Sequence, residues 1–150
     1  MRLIRPIPFV VALAITVLTS AQTLSKEQRA AIASEELRSV SKNGGVEILS
    51  DTQGVDFKPY LETWRGITKA SWLKQFPDGV PKHPVNEAVM ISFKIRPSGQ
   101  VMDRGMVLEV RTGIESLDKA AWYAITSSKY PSLPRGFHGP YLELRTLFRY

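Results

Sequence analysis

Two segments of the chain alternate between apolar and polar residues with a period of two, and this pattern restricts the fold more than any other feature. The first segment runs from Val89 to Ile95 and the second from Leu142 to Phe148. Successive side chains of a strand point to opposite faces of a sheet. Each segment therefore predicts a half-buried strand with one face turned toward a core.

The residues after Ile95 predict a hairpin. Pro97-Ser98-Gly99 has the composition of a turn, because proline presets one backbone dihedral and glycine accepts a positive φ. Gln100 to Arg111 then predicts a second strand. Gly105 in the middle of that strand indicates a bulge, which would shift the phase of its apolar residues.

Two other segments carry apolar residues at helical spacing. The first has Asp56 as its candidate N-cap and Pro59 in its first turn, and it ends at Pro77-Asp78-Gly79. The second ends before Tyr130-Pro131. The apolar positions are Phe57, Tyr60, Leu61, Trp64, Ile67 and Trp72 in the first helix, and Leu117, Ala120, Ala121, Ala124 and Ile125 in the second. The predicted order is helix, strand, strand, helix, strand, which is an α+β arrangement.

The N-terminal residues 1–21 have the three parts of a secretory signal peptide. Met1 to Arg5 is basic, Ile7 to Leu18 is uncharged and mostly apolar, and Thr19 to Ala21 is small-residue sequence. The apolar run is shorter than the ~20 residues of a membrane-spanning helix. We therefore expect cleavage after Ala21 and a periplasmic protein. The alternative is an uncleaved anchor in the inner membrane that faces the same compartment.

Residues 22–50 predict a helical extension that links the leader to a domain formed by residues 51–150. Gln22 to Gly45 reads as a helix with few apolar positions, and Ser25 and Gln28 have the spacing of a capping box. Asn43-Gly44-Gly45 ends it. We expect this helix to be marginal or loosely docked, and Val46 to Leu49 is a candidate short strand.

Charge and composition exclude several classes of function. The formal net charge is +6, but the basic residues are dispersed among acidic ones, so the footprint of a nucleic-acid-binding protein is missing. The chain has no cysteine, which removes thiolate nucleophiles and Cys-type metal sites. The sequence therefore predicts no nucleic-acid partner. Contact with a membrane is expected only if the N-terminal segment stays uncleaved.

No catalytic motif is visible in the sequence. His-Glu-x-x-His, Gly-x-Ser-x-Gly and phosphate-loop patterns are all missing. His83 and His138 lie in Pro/Gly-rich segments, where a single histidine is typically a surface residue. Glu115 and Asp118 favour a helix N-terminus, and Trp64, Trp72 and Trp122 have core spacing. We therefore predict no enzyme activity, no cofactor and no metal.

The order of these segments, with their residues, resembles the C-terminal domain of the TonB/TolA energy transducers. The resemblance covers roughly residues 51–150. It is carried by the segments Gly54-Val55-Asp56-Phe57-x-Pro59-Tyr60-Leu61, Phe76-Pro77, Phe93-x-Ile95-x-Pro97-x-Gly99-x-Val101, Ser116-Leu117-Asp118-x-Ala120-Ala121 and Tyr130-Pro131-x-Leu133-Pro134, and by the alternating last strand that ends in Phe148 and Tyr150. It implies a three-stranded antiparallel sheet with helices on one face. It also implies a protein-interaction module that couples the inner membrane to an outer-membrane partner.

A physical route to such binding is strand addition at the last strand, if that strand lies at a sheet edge. The expected partner is an extended peptide segment of an outer-membrane or periplasmic protein. The predicted contact residues are Tyr141, Glu143, Arg145, Leu147 and Arg149. Arg145 and Arg149 are also typical of charges that protect an edge from aggregation.

A second interpretation stays open because the best-known family members carry a membrane anchor and a long linker. Here only residues 22–53 separate the leader from the domain. The chain would then be an exported envelope protein that binds peptidoglycan or a lipoprotein without coupling to an energy-transducing complex. A secreted hydrolase is a third interpretation, although no triad or metal spacing supports it.

Overall fold

The computed structural model describes residues 24–78 and 88–150, which form an α+β domain. The predicted leader, its cleavage after Ala21, His83 and most of the loop to Pro84 lie outside these residues. The described part contains three helices and one antiparallel sheet of four strands. The elements are α1 (Lys26–Lys42), β1 (Val46–Ile48), α2 (Lys58–Gln75), β2 (Ala88–Ile95), β3 (Val107–Val110), α3 (Glu115–Thr126) and β4 (Leu142–Arg149).

The start of α1 confirms the predicted capping box. The Ser25 hydroxyl accepts the Gln28 N–H at 3.2 Å, and the Gln28 side chain accepts the Ser25 N–H at 2.8 Å. Two of the unpaired donors of the first turn are satisfied in this way. The helix ends at the C-cap Asn43, and the positive φ angles of Gly44 (71°) and Gly45 (83°) turn the chain into β1.

Helix α2 begins one residue later than predicted. Phe57 is the N-cap, and Asp56 accepts the Lys58 N–H at 3.0 Å from just outside the helix. Pro59 occupies the second helical position, where no intrahelical partner for an N–H is required. The helix ends at Gln75, with an extended C-cap at Phe76.

The hairpin turn is confirmed, but its second strand is shorter than predicted. Gly99 has φ 87°, and its N–H donates to Arg96 O at 2.8 Å. Val101 makes an isolated bridge to Ile95, and the ladder resumes only at β3. Between them the chain leaves the sheet at Gly105 (φ 130°), and the β2–β3 register shifts next to Met90.

The sheet has the strand order β1-β4-β2-β3, so the expectation of three strands is wrong. The candidate strand at Val46 forms and pairs with the outer side of β4, with Val46 opposite Thr146. The long strands β2 and β4 pair along their whole lengths, from Ala88 opposite Arg149 to Ile95 opposite Leu142. They therefore occupy the centre of the sheet, and the short strands β1 and β3 form its edges.

The main core lies between one face of this sheet and helices α2 and α3. Trp64 is 2% exposed and stacks between Phe93 (ring centroids 5.6 Å apart) and Tyr130 (5.7 Å). The alanines of α3, Ala121 and Ala124, are fully buried against the sheet, as their spacing predicted. Aromatic stacking and close helix approach thus fix α2 and α3 on this face.

Helix α1 lies on the opposite face, so the prediction that the helices share one face is wrong. Arg145 alternates with the core residues Leu144 and Thr146 and therefore points to the other side, where it contacts Glu36 of α1. The difference arises because α1 docks on this face through Glu36 at Arg145 and through the buried Val40.

Val40 and Met90 are fully buried but lie outside the main core cluster, on this second side of the sheet. Because Ser92 is buried there too, the prediction of a half-buried β2 is wrong: most of this strand is buried on both faces.

Candidate functional site

Strand β4 is paired on both sides over most of its length. The prediction that it forms an open sheet edge is therefore wrong for that part of the strand. In an antiparallel ladder, successive residues direct their main-chain N–H and C=O groups to alternate neighbours. Residues 143, 145 and 147 point toward β1, whereas residues 142, 144, 146 and 148 point toward β2. The five predicted contact residues therefore have different environments.

The first two contact residues are already engaged. Lys94 Nζ lies over the ring of Tyr141, 4.5 Å from its centroid. The Glu143 N–H donates to Ser50 Oγ at 2.7 Å, and its carbonyl accepts the Leu49 N–H at 2.8 Å. A partner strand could not pair with this part of β4 without displacing the residues around β1.

Arg145 is the centre of a charge cluster and is 18% exposed. Its guanidinium lies 2.8 Å (Nε to Oε2) and 3.3 Å (Nη2 to Oε1) from Glu109 of β3. It also lies 3.6 Å from Glu36 of α1 and 3.7 Å from Glu47 of β1. The Nε–Oε2 contact is close but does not meet hydrogen-bond geometry, so the Nη2 bond and the charges hold the pair. Arg145 thus joins four elements of the fold.

The last two contact residues lie where β1 stops covering β4. The Leu147 N–H donates to Gly45 O at 2.8 Å, but the Gly45 N–H donates to Val40 O at 2.9 Å and not to Leu147. The Leu147 carbonyl thus has no main-chain partner on this side among the described residues. By the same alternation, the N–H and C=O of Arg149 point to this side beyond the end of β1. From the Leu147 carbonyl onward, β4 therefore has no paired strand on this side in the described part of the chain, although Gly45 lies beside that oxygen, which a Cβ added to Gly45 would approach to 3.5 Å.

The open stretch adjoins a groove of about 210 Å³ between α2 and the sheet. Small-molecule clefts usually measure about 300–1,000 Å³, so this groove has the size for one large side chain. Its aromatic lining comes from α2 and β4, and two cationic side chains lie along α2. The lining residues are Gly44, Gly45, Trp64, Arg65, Thr68, Lys69, Trp72, Thr146, Leu147 and Phe148.

Three lining residues carry buried N–H donors without an acceptor among the described residues, and one of these donors is Trp72 Nε1. Trp64 Nε1 and Arg65 Nε have no hydrogen-bond partner among the described residues. Arg65 Nη2 donates to Asn43 O at 3.0 Å, which holds the guanidinium beside the groove. Lys69, one helical turn further, is exposed. Among the described residues, no Asp or Glu lines the groove, so its ionisable lining is entirely cationic.

The polar residues behind the groove are fully bonded. Thr68 Oγ1 lies 2.9 Å from Trp64 O and 2.9 Å from the Tyr130 hydroxyl. The Tyr60 hydroxyl donates to Pro131 O at 3.3 Å. Burial raises the pKa of both tyrosine hydroxyls above its ordinary value. Both therefore stay protonated well above neutral pH and serve the structure.

Three hollows lined by described residues are larger than this groove. The first, of about 300 Å³, lies beside Tyr141 and Glu143, where Ser50 and Leu49 already bond to the main chain of Glu143.

The other two hollows are also less suited to a partner chain. One, of about 330 Å³, is a polar recess beside Gly99 and Lys129. The other, of about 350 Å³, lies at the start of α3, where Lys119 Nζ already pairs with Glu115 at 2.6 Å. Neither hollow adjoins main-chain groups of a central strand.

Other residues singled out in the sequence have structural surroundings. His138 is exposed, and its main-chain N–H donates to Gln53 Oε1 at 2.8 Å. Asp118 accepts the Thr112 N–H (2.9 Å) and hydroxyl (2.8 Å) at the start of α3. Trp72 and Trp122 are half-buried against the core, so Trp64 alone of the three tryptophans is fully buried.

Sequence reasoning did not identify the groove residues of α2. Trp64, Thr68 and Trp72 follow one another at i, i+4 and i+8, and Arg65 and Lys69 form a parallel cationic row. The cationic row is a pattern in the sequence that can indicate a binding surface on α2. The sequence gives no sign that both rows face the open end of β4, because this depends on where Gly44-Gly45 ends the pairing of β1.

Comparisons with known proteins add no relative: no family model matches the chain, and no curated protein or solved structure is similar to it. Over residues 24–78 and 88–150, no group of three or more His, Asp or Glu side chains is arranged to hold a metal ion. None of the helices in these same ranges is both long and apolar enough to cross a membrane. The fold and groove thus define an α+β domain with an open strand end.

Proposed function

We propose that this chain is an exported, periplasmic protein-interaction module of the TonB/TolA C-terminal type, without catalytic activity. It binds an extended segment of an outer-membrane or periplasmic protein by strand addition. The observation that carries the proposal is the open main chain at Leu147 and Arg149 beside an apolar groove. An extended segment placed there would pair with β4 along the line of β1 and would bury a side chain against α2.

The order of elements from α2 to β4 supports the family part of the proposal. Helix, strand, strand, helix and strand follow one another as the resemblance implies, with the Pro97–Gly99 turn in the hairpin. Two features depart from it, namely the fourth strand and the helix on the second face. Both come from the segment that precedes the family-like region.

The same segment favours a second candidate, an exported envelope protein that is not coupled to an energy-transducing complex. In a transducer this segment would extend away from the domain to bridge a distance. Here α1 and β1 fold back onto the sheet, through Glu36 and Glu47 at Arg145 and through the Val46–Thr146 pair. Such docking suits a stand-alone binding domain.

The test uses the full chain expressed in a bacterial envelope, with a photo-crosslinking amino acid in place of Leu73, which is exposed one helical turn beyond Lys69 and does not line the groove. We expect light-dependent adducts with an outer-membrane or periplasmic protein identified by mass spectrometry. Arg149→Pro should abolish them, because it removes the N–H that faces the partner, whereas Arg149→Ala keeps that N–H and should retain them. Proline at Arg145 or Leu147 would be a poorer test, because both positions bond to the β1 segment.

Equal adducts in Arg149→Pro and Arg149→Ala would exclude strand addition at β4. Adducts with cytoplasmic proteins alone would exclude the periplasmic assignment. Fractionation and intact mass of the same samples separate the cleaved from the anchored form of the protein.

A further inference from the structure

We infer that the partner segment is acidic, with a large apolar residue that enters the groove and a neighbouring carboxylate that pairs with the cations around it. This inference rests on the proposed function and specifies the chemistry of the ligand. Three points support it. Side chains of an added strand would alternate between the two faces of the sheet, basic side chains lie around the open end of β4, and buried N–H donors in the groove lack an acceptor among the described residues.

The alternation determines which side chains meet which surface. A segment lying along Leu147–Arg149 would place alternate side chains on the two faces of the sheet. On the face of α2, the space is lined by Trp64, Trp72 and Phe148 and measures about 210 Å³. A single aromatic or large aliphatic side chain fits there. Its neighbours in sequence point to the face on which the exposed Arg149 lies.

The ionisable side chains that line the groove are basic, and so is that of the exposed Arg149. Arg65 and Lys69 line the groove, and Arg149 lies across the strand from it. The charge cluster of Arg145 shows the contrasting case, in which three glutamates surround one arginine. The domain thus neutralises one cation internally and leaves others at the open strand end without a carboxylate among the described residues. Complementary charge on a partner provides selectivity and faster association.

The unpaired donors point to the same ligand chemistry. Trp64 Nε1 and Arg65 Nε are buried without an acceptor among the described residues, which costs free energy in the unbound protein. A carboxylate or main-chain carbonyl that approached Arg65 would supply an acceptor. A partner rich in lysine or arginine would supply none and would be repelled.

The experiment selects ligands from a random octapeptide library displayed on phage, with the full chain immobilised. We expect enriched peptides to contain Asp or Glu next to an aromatic or large aliphatic residue. A synthetic peptide of the enriched sequence is then titrated by fluorescence anisotropy. Lys69→Glu should weaken its binding on the order of tenfold, and the affinity should fall as salt is added.

Lys74→Glu is the matched control, because Lys74 is an exposed lysine of the same helix outside the groove lining. It should change the affinity less than about twofold, within the small effect of a remote surface charge. Enriched peptides without acidic residues, or equal effects of Lys69→Glu and Lys74→Glu, would overturn the acidic-ligand inference while strand addition stands. The proposed function itself fails if no peptide is enriched. It also fails if the backbone amide chemical shifts of Leu147–Arg149, measured by NMR, do not change when the peptide binds.

Discussion

The α-carbon of Gly99 lies directly against the main chain of Tyr130: a Cβ added to Gly99 would stand 2.3 Å from the Tyr130 carbonyl oxygen. Gly99 also has φ 87°, a backbone angle that residues with a side chain rarely adopt. Gly99→Ala should therefore lower the free energy of unfolding by roughly 2–4 kcal/mol, from the strained φ and the overpacking together. Urea denaturation followed by circular dichroism measures the loss.

Gly113 provides the control for this substitution. Its φ is 82°, but an added Cβ would meet nothing within 4 Å. Gly113→Ala should therefore show the conformational cost alone, about 1 kcal/mol. Equal losses in the two variants would contradict the close approach of the hairpin turn to Tyr130.

Replacing Arg145 should destabilise the protein although its position looks like a solvent-facing one in the sequence. Arg145→Met leaves Glu36, Glu47 and Glu109 facing one another without a cation. We expect a loss of about 2–3 kcal/mol in the free energy of unfolding, below the full cost of breaking a completely buried pair because the side chain is 18% exposed. Chemical denaturation checks this value.

The matched control is Arg38→Met, which breaks the exposed pair with Glu35 at 3.3 Å. An exposed pair contributes about 0–1 kcal/mol, so this variant should unfold close to the parent protein. If both variants lose the same stability, Arg145 does not join α1, β1 and β3 as described.

Stability should fall at alkaline pH because of Tyr60 and Tyr130. Burial raises the pKa of each hydroxyl above the ordinary value of about 10. The stabilisation is complete below pH ~10, where the hydroxyls are protonated in both states, and it is lost as the pH rises from there toward the folded-state pKa. The urea midpoint measured between neutral pH and pH ~11 should fall, and it should fall less in Tyr60→Phe or Tyr130→Phe.

Tyr123→Phe is the control for the alkaline experiment, because the Tyr123 ring is 49% exposed. It should reproduce the pH dependence of the parent protein, to which Tyr150 also contributes because burial raises the pKa of its hydroxyl. An unchanged pH dependence in both buried-tyrosine variants would show that their hydroxyls do not limit alkaline stability.

Truncation before Tyr141 should unfold the domain. It removes β4, which pairs with both β1 and β2, and with it the buried residues Leu142 and Leu144. The thermal unfolding curve of the truncated chain, followed by far-ultraviolet circular dichroism, should show no cooperative transition. A truncated protein that still unfolds cooperatively would mean that the core does not depend on β4.

Local patterns were sufficient to predict most individual elements. The turn at Gly99, the core face of β2 and β4, the apolar stripe of α3 and the Ser25 capping box all depend on residues close in sequence. In each case the deciding interaction spans a few residues, so spacing and residue type carry the information.

The strand order and the groove depend on pairing between distant segments, which local patterns do not determine. β1 has only three residues, and nothing in Val46–Ile48 specifies β4 as its neighbour. Likewise, the alternation in β4 predicts that Arg145 faces solvent. It does not reveal the glutamates that surround Arg145, because these come from three other elements. The predicted binding edge was therefore wrong for most of β4, and only its end at Leu147 and Arg149 remains open.

The central position of β4 also affects how fast and when the chain can fold. Val46 pairs with Thr146, and Val89 pairs with Phe148, so the β1–β4 ladder closes a loop of most of the domain and the β2–β4 ladder closes a loop of about half of it. Such non-local pairing places folding in the slower range of small domains, roughly milliseconds to seconds. During synthesis, β2 has no central partner strand until β4 has been made. The sheet therefore stays incomplete for the whole time that separates the synthesis of β2 from that of β4.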